Sequence, residues 1–292
     1  MSVSADPQSR KALVDLAQKF TGREITPFLT TWETDGMLPR DLHRRAADVG
    51  LLGIGIDPKL GGSGGDFADV VAMTEAMIGA GASGGVISAL FTHGIALPHV
   101  IDEYHRRVDA ADVDGADYLL AQTIEPVLRG EMILSLGVTE PDGGSDVSRL
   151  RTRAERVNES WTVSGAKTYI TSGVRADRVV AAVRTPETGE GAAGITLMML
   201  DPASPGYATP RALAKMGWWC SDTAELAFNE VPVAPRDVLG LGLGFASLAN
   251  HFVSERLSLA VTAYATAQRC LDLTEAWAKN RETFGRPLIS RQ

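Results

Sequence analysis

Leu136-Gly137-Val138-Thr139-Glu140-Pro141-Asp142-Gly143-Gly144-Ser145-Asp146 is the stretch on which the reading of this chain turns. It leaves an apolar strand, Met132 to Val138, and breaks at Pro141 into a turn. Two glycines there let the backbone N–H groups of Gly143, Gly144 and Ser145 converge on one point. Converging donors make a nest suited to a phosphate or a polar ring edge. The same Pro-Asp-Gly-Gly letters also spell an ordinary hairpin turn, so taken alone the stretch leaves both readings open.

Downstream, the apolar period is short. β-prone runs stand at Arg151–Arg156, Trp161–Val163, Lys167–Thr171, Val179–Val183, Ile195–Leu200 and Ala224–Phe228, split by turn-forming residues. Such spacing predicts a β-barrel or sandwich. Upstream, the pattern is helical. Leu13, Leu16, Ala17, Phe20 and Ile25 form one stripe, and Leu42, Ala46, Val49 and Leu52 another between Pro39 and Gly50. Pro58 to Asp66 reads as a flexible loop. Helices are expected from Val70 to Ile78, from Ser83 to Leu97 and from Tyr118 to Leu128, the last after an acidic turn at Asp109–Gly115. Beyond the Gly240, Gly242 and Gly244 cluster the chain reads as one helix to Asn280, with Phe245, Leu248, Phe252, Leu259, Ala263, Ala267, Cys270 and Trp277 on one face. The expected class is α+β multidomain: a helical bundle over 1–130, a β domain over 131–237, and the start of a second helical bundle over 238–292.

Composition narrows the function. Charged residues are 22% and hydrophobic residues 45%, as in a soluble globular protein. With 28 Lys plus Arg against 36 Asp plus Glu, no basic face speaks for nucleic acid. Cys220 and Cys270 have no metal-ligand spacing and read as buried thiols, and the five histidines form no metal motif, so no metal is expected. His93 reads as a core or interface residue. No run approaches the ~18 apolar residues of a membrane span, and the polar start lacks a signal core. A cytoplasmic protein is expected. Gly165-Ala166-Lys167-Thr168 lacks the upstream glycine of a phosphate-binding loop, and the Gly61–Gly65 loop lacks a strand–helix setting.

Glu255 is the residue best placed for acid–base work. Leu248, Phe252, Glu255, Leu259 and Ala263 are spaced four, three, four and four, which sets a carboxylate within an apolar stripe. Lost hydration raises its pKa from ~4.3 toward the range a general base needs. The alternative is a structural pair with His251 one turn earlier or with a charge from elsewhere in the fold. Arg256 lies about 100° around the helix and does not pair with it.

Two further stretches join the first: Trp161 to Gly173 (W-T-V-S-G-A-K-T-Y-I-T-S-G) and Met216 to Pro232 (M-G-W-W-C-S-D-T-A-E-L-A-F-N-E-V-P). With Arg281-Glu282-Thr283-Phe284-Gly285, and in this order, they resemble the acyl-CoA dehydrogenase family of flavoproteins. The resemblance implies bound FAD and removal of two hydrogens from an acyl-CoA thioester to give the trans-2-enoyl product. It implies that Leu136, Val138 and Thr139 meet the polar edge of the ring. Gly144 and Ser145 face the pyrophosphate, with Ser145 also near the acyl-CoA. Tyr169 stacks on the ring beside Ile170, and Thr171 bonds its hydride-accepting nitrogen. Phe252 and Arg256 face the substrate, and Ser254-Glu255-Arg256-Leu257 resembles the segment that carries the base in isovaleryl- and long-chain-type members. Other members carry the base in a region beyond Gln292, and against them this sequence looks cut short. The family often has tryptophan at the position of Tyr169 and asparagine at that of Ser172. Arg281, Thr283, Phe284 and Gln292 resemble the segment that reaches a neighbouring subunit's flavin, which implies a homo-oligomer. Electron-transfer flavoprotein is the implied acceptor of electrons. An acyl-CoA oxidase, a relative acting on a substrate that is not a CoA ester, and a non-catalytic subunit or fragment are the alternatives.

Overall fold

A computed structural model describes residues 7–291. The chain opens with helices α1 (Pro7–Glu24), α2 (Leu29–Asp35), α3 (Asp41–Asp48), α4 (Phe67–Gly79), α5 (Gly84–Leu90), α6 (His93–Asp109), α7 (Val113–Leu119) and α8 (Glu125–Leu128). Ala17 and Phe20 of α1 meet Leu42 and Ala46 of α3 and Met73 and Met77 of α4 in one buried cluster. Gly50 sits at φ +80°, the left-handed conformation that lets the chain leave α3. Asp66 caps α4 by accepting from the Ala68 and Asp69 N–H groups, while the Asp69 carboxylate accepts in turn from the Asp66 N–H. The loop before it is also ordered by hydrogen bonds, with a short helical turn at Pro58–Leu60.

Three expectations change here. The helix expected over 83–97 is two, because the chain bends at Phe91–Thr92 and brings the His93 ring within 2.9 Å of the Leu52 carbonyl. The helix expected from Tyr118 begins at Val113, since Asp112 accepts from the Gly115 N–H and caps it. Between α7 and α8 the turn at Leu120–Ile124 widens to a π-helix, because Pro126 has no N–H for the Gln122 carbonyl. The run from Gly84 to Asp109 is, by length and composition, apolar enough to cross a membrane, contrary to the sequence reading. Its most apolar window is 67% buried against the rest of the chain, as in the core helix of a folded domain.

The sheet has eight strands: β1 (Leu134–Gly137), β2 (Arg153–Val157), β3 (Ser160–Thr171), β4 (Arg178–Arg184), β5 (Ile195–Leu200), β6 (Tyr207–Ala212), β7 (Thr223–Val233) and β8 (Val238–Leu239). Their order is β6-β7-β3-β2-β4-β5-β8, and β1 lies parallel to β4. Val179, Ala181 and Val183 face a core built with β2, β3, β5 and β7. Val180 and Ala182 face the opposite way, onto α6 and the last helix. Burial on both faces explains the unbroken apolar run in β4. The runs 161–163 and 167–171 are one strand, β3, whose pairing with β7 shifts near Ser164 and again between Lys167 and Ile170.

Helix α9 (Gly244–Asn280) is 37 residues, about 55 Å long. Leu248 packs toward β1 and β5, and Ala265 joins the cluster of α4. The expected apolar face fails beyond Phe252: Leu259, Ala263, Ala267, Cys270 and Trp277 are exposed. Steps of four advance about 400°, so a stripe with that spacing drifts off the buried side. The same drift exposes the Cys270 thiol, while Cys220 is buried. The buried side runs through Leu248, Val261, Thr262 and Ala265. A hairpin of β9 (Glu282–Thr283) and β10 (Arg286–Pro287) follows.

Candidate functional site

The turn after β1 is built around its carboxylate. Glu140 and Gly143 bond to each other through both backbone N–H groups, at 3.0 and 3.1 Å, so the Gly143 N–H closes the turn and is not part of a three-donor nest. Gly144 lies close to Thr139: a Cβ there would be 3.0 Å from Thr139 Cγ2, a tight contact. Ser145 stands exposed on the loop. The Glu140 side chain turns inward and accepts from the Arg151 N–H at 2.6 Å, the Thr152 N–H at 2.8 Å and Lys167 Nζ at 2.9 Å. A cleft of about 520 Å³ lies here, lined by Val138, Gly143, Gly144, Val147, Arg149 and Leu150 among others.

β1 is paired on one edge, with β4. Its apolar residue Leu136 is buried in the cluster that holds Leu248 of α9, and Val138 and Phe252 pack against that same cluster. Strand β1 and helix α9 therefore share a core at this place. The Thr139 carbonyl accepts from the Thr168 N–H at 2.9 Å, which ties the loop to β3 next to Tyr169.

Tyr169 is not a core aromatic. It sits at φ +59° in the pairing irregularity of β3 and is 70% exposed. A bulky residue in the left-handed region is strained by about 1–2 kcal/mol, and here the strain turns the ring outward from a strand whose neighbour Ile170 is buried. Thr171 is half-buried, and Ser172 is fully buried with its hydroxyl lacking a partner among the described residues. The Asp222 carbonyl, in the third motif, accepts from the Ser172 N–H of the second at 2.8 Å, and its carboxylate accepts from Arg175 Nε at 2.6 Å and the Val174 N–H at 3.0 Å just beyond, so the two motifs are bolted together below this edge.

Glu255 is half-buried on α9. Burial pushes its pKa up and Arg256 counters in part. Among the described residues it has no hydrogen-bond or ion-pair partner. His251 is engaged elsewhere: its Nε2 lies 2.7 Å from Asp102 Oδ2, in a network where His99 Nδ1 meets Ser247 Oγ at 2.7 Å. The structural pairing of Glu255 with His251 is thus not formed. The exposed Arg256 lies over the Phe252 ring at 5.7 Å.

The remaining predicted residues stand apart. Arg281 follows Glu255 by about 39 Å of helix. Phe284 at φ +49° and Gly285 at φ +74° form the hairpin turn, and Phe284 is 95% exposed. Arg291 lies over its ring at 5.1 Å and gives Thr283 Oγ1 a hydrogen bond of 2.9 Å. Gln292 lies outside the described residues. Sequence reasoning missed the roles of Glu140 and Lys167. Strand parity held the signal: Trp161, Val163 and Lys167 share the inward face of β3.

Models of the acyl-CoA dehydrogenase N-terminal, middle and C-terminal domains match residues 7–104, 135–231 and 242–292. The mitochondrial long-chain specific acyl-CoA dehydrogenase of Mus musculus is 31% identical over 277 residues, covering 94% of this chain. The chain spans 61% of that relative's length. The crystal structure of a probable acyl-CoA dehydrogenase from Mycobacterium abscessus superposes with a TM-score of 0.91 at 52% identity, over 99% of this chain and 73% of that one. A putative acyl-CoA dehydrogenase from Mycobacterium smegmatis gives 0.92 at 50%, over 98% and 72%.

Proposed function

This chain belongs to the acyl-CoA dehydrogenase family, and from that premise we propose that it desaturates an acyl-CoA thioester between Cα and Cβ with FAD bound and Glu255 as base. The observation that carries this reading is the state of Glu255: half-buried, without a partner among the described residues, and raised in pKa by burial. A carboxylate so held is a stronger base than one in open water and has no competing bond to break first. FAD, when bound, supplies the acceptor for the hydride leaving Cβ.

The chain's own groups suit such a ligand. Among the described residues no strand pairs with the second edge of β1, Tyr169 is turned outward at a cost in strain, and Gly144 leaves room beside Thr139. In this reading Leu136, Val138, Thr139, Ile170 and Thr171 hold the ring, with Tyr169 against it. Gly144 and Ser145 hold the pyrophosphate. Ser145, Phe252 and Arg256 hold the acyl-CoA. Arg281, Thr283 and Phe284 serve the flavin of a neighbouring copy, which makes the protein a homo-oligomer; the 95% exposure of Phe284 supports this. Electron-transfer flavoprotein is the proposed oxidant, and 1–130, 131–237 and 238–292 are the proposed domains.

Anaerobic titration of the purified yellow protein with a panel of acyl-CoA thioesters tests the reading. Bleaching by at least one thioester is expected. Protein without flavin, or flavin that no thioester bleaches, refutes it. Because the folded-state pKa of Glu255 is raised, kcat/KM should fall on the acid side through a pKa above the ordinary 4.5.

A further inference from the structure

Lys167 is the largest side chain with no exposure, and lysine is almost never found so unless paired. Its ammonium gives one hydrogen bond to Glu140 Oε1 at 2.9 Å and another to the Val138 carbonyl at 3.1 Å. Glu140 is already held by the Arg151 and Thr152 N–H groups. Burial pulls Lys167 down to about 8, against the pull of Glu140. An apolar pair would fill this space at no such desolvation cost, so the charge calls for a use. Its contact with Val138 supplies one. In a trans peptide the N–H lies opposite the C=O, so the Thr139 N–H is on the far side of the peptide whose carbonyl Lys167 grips. A charge-assisted bond at one end of a peptide strengthens the donor at the other.

We propose that Lys167 is a positioning residue for the flavin: by holding and polarising the Val138–Thr139 peptide, it strengthens the Thr139 N–H as a donor to the polar edge of the ring. The inference rests on the functional reading above. Reduction brings negative charge to that edge, so a stronger donor favours reduced over oxidised FAD. Glu140 acts with the opposite sign, since its charge tempers that of Lys167.

The test is the flavin midpoint potential of the FAD-loaded protein, with FAD affinity measured alongside. Lys167→Met should lower the preference for reduced over oxidised FAD about tenfold, which is about 30 mV for a two-electron couple. Glu140→Gln should move the potential upward, and the double variant should fall between the two. Unchanged potentials, or single variants that shift the same way, overturn the proposal, because a merely structural pair gives no opposed shifts. Should Lys167→Met alone not fold, the double variant must still lie below Glu140→Gln, and equality of the two overturns it. Wild-type protein that takes up no FAD refutes both the functional reading and this inference. Wild-type protein that bleaches with substrate, beside variants of unaltered potential, refutes this inference alone.

Discussion

On the sheet side of the proposed site, charges are sealed in and matched. Lys167 meets Glu140 at 2.9 Å and Arg175 meets Asp222 at 2.6 Å, each pair almost without exposure. Helix α9 holds His251 against Asp102 but treats its two glutamates differently. The Lys279–Glu275 pair of α9 lies in solvent, and Glu255, half-buried, has no partner among the described residues. The contrast separates two tasks. On the proposed reading, the wall that holds the ligand is fixed by buried ion pairs, whereas the group that accepts the proton is left without a partner among the described residues.

Breaking the sheet side should cost most. Asp222→Ala leaves the Arg175 guanidinium buried and unpaired, and should lower stability by about 3–5 kcal/mol in urea unfolding. A cost below about 1 kcal/mol would show that the pair is not anchored as described. Next in size is the response to acid. Burial holds His43 and His99 neutral, pushed down to about 4. The unfolded chain takes up these protons from about pH 6.5 downward and the folded chain does not, so their contribution is complete above that pH and is lost toward pH 4. Each should cost about 3 kcal/mol by the end of that window, partly offset by Glu255 and Asp237, whose raised pKa values work the other way. Urea midpoints that stay level from pH 6.5 to 4 would contradict this.

Smaller effects sharpen the comparison. Tyr169→Gly should relieve about 1 kcal/mol of left-handed strain while weakening FAD retention; a variant both less stable and equally yellow would mean that the bulge serves packing. Lys279→Ala on the solvent side of α9 should stay within about 0.5 kcal/mol of the parent. A larger loss in thermal melting would mean that the exposed helix face carries stability after all.

Much of this was legible in the letters, and the misses share causes. β4 and β5 announce themselves because both faces are apolar, but β6 is nearly all exposed and offers no alternation to read. β3 looked like two strands because Ser164-Gly165 has the chemistry of a turn, yet pairing with β7 carries the strand through. The long helix was readable to its last residue, Asn280. Its buried face was not, since spacings of four drift and only packing on α4 and α6 fixes the phase. Glu255 is half-buried all the same, because it lies on the helix between the expected stripe and the buried side. His251 could not be assigned from its own helix: its partner, Asp102, is far off in sequence and close only in the fold.

The proposed chemistry depends on Glu255. Glu255→Gln keeps size and shape and removes the base, so the variant should hold its flavin with an unaltered oxidised spectrum. Mixed anaerobically with a thioester that bleaches the parent, it should bleach on the order of 10²–10⁴ times more slowly. Bleaching within about threefold of the parent would contradict the assignment and move the base to another group.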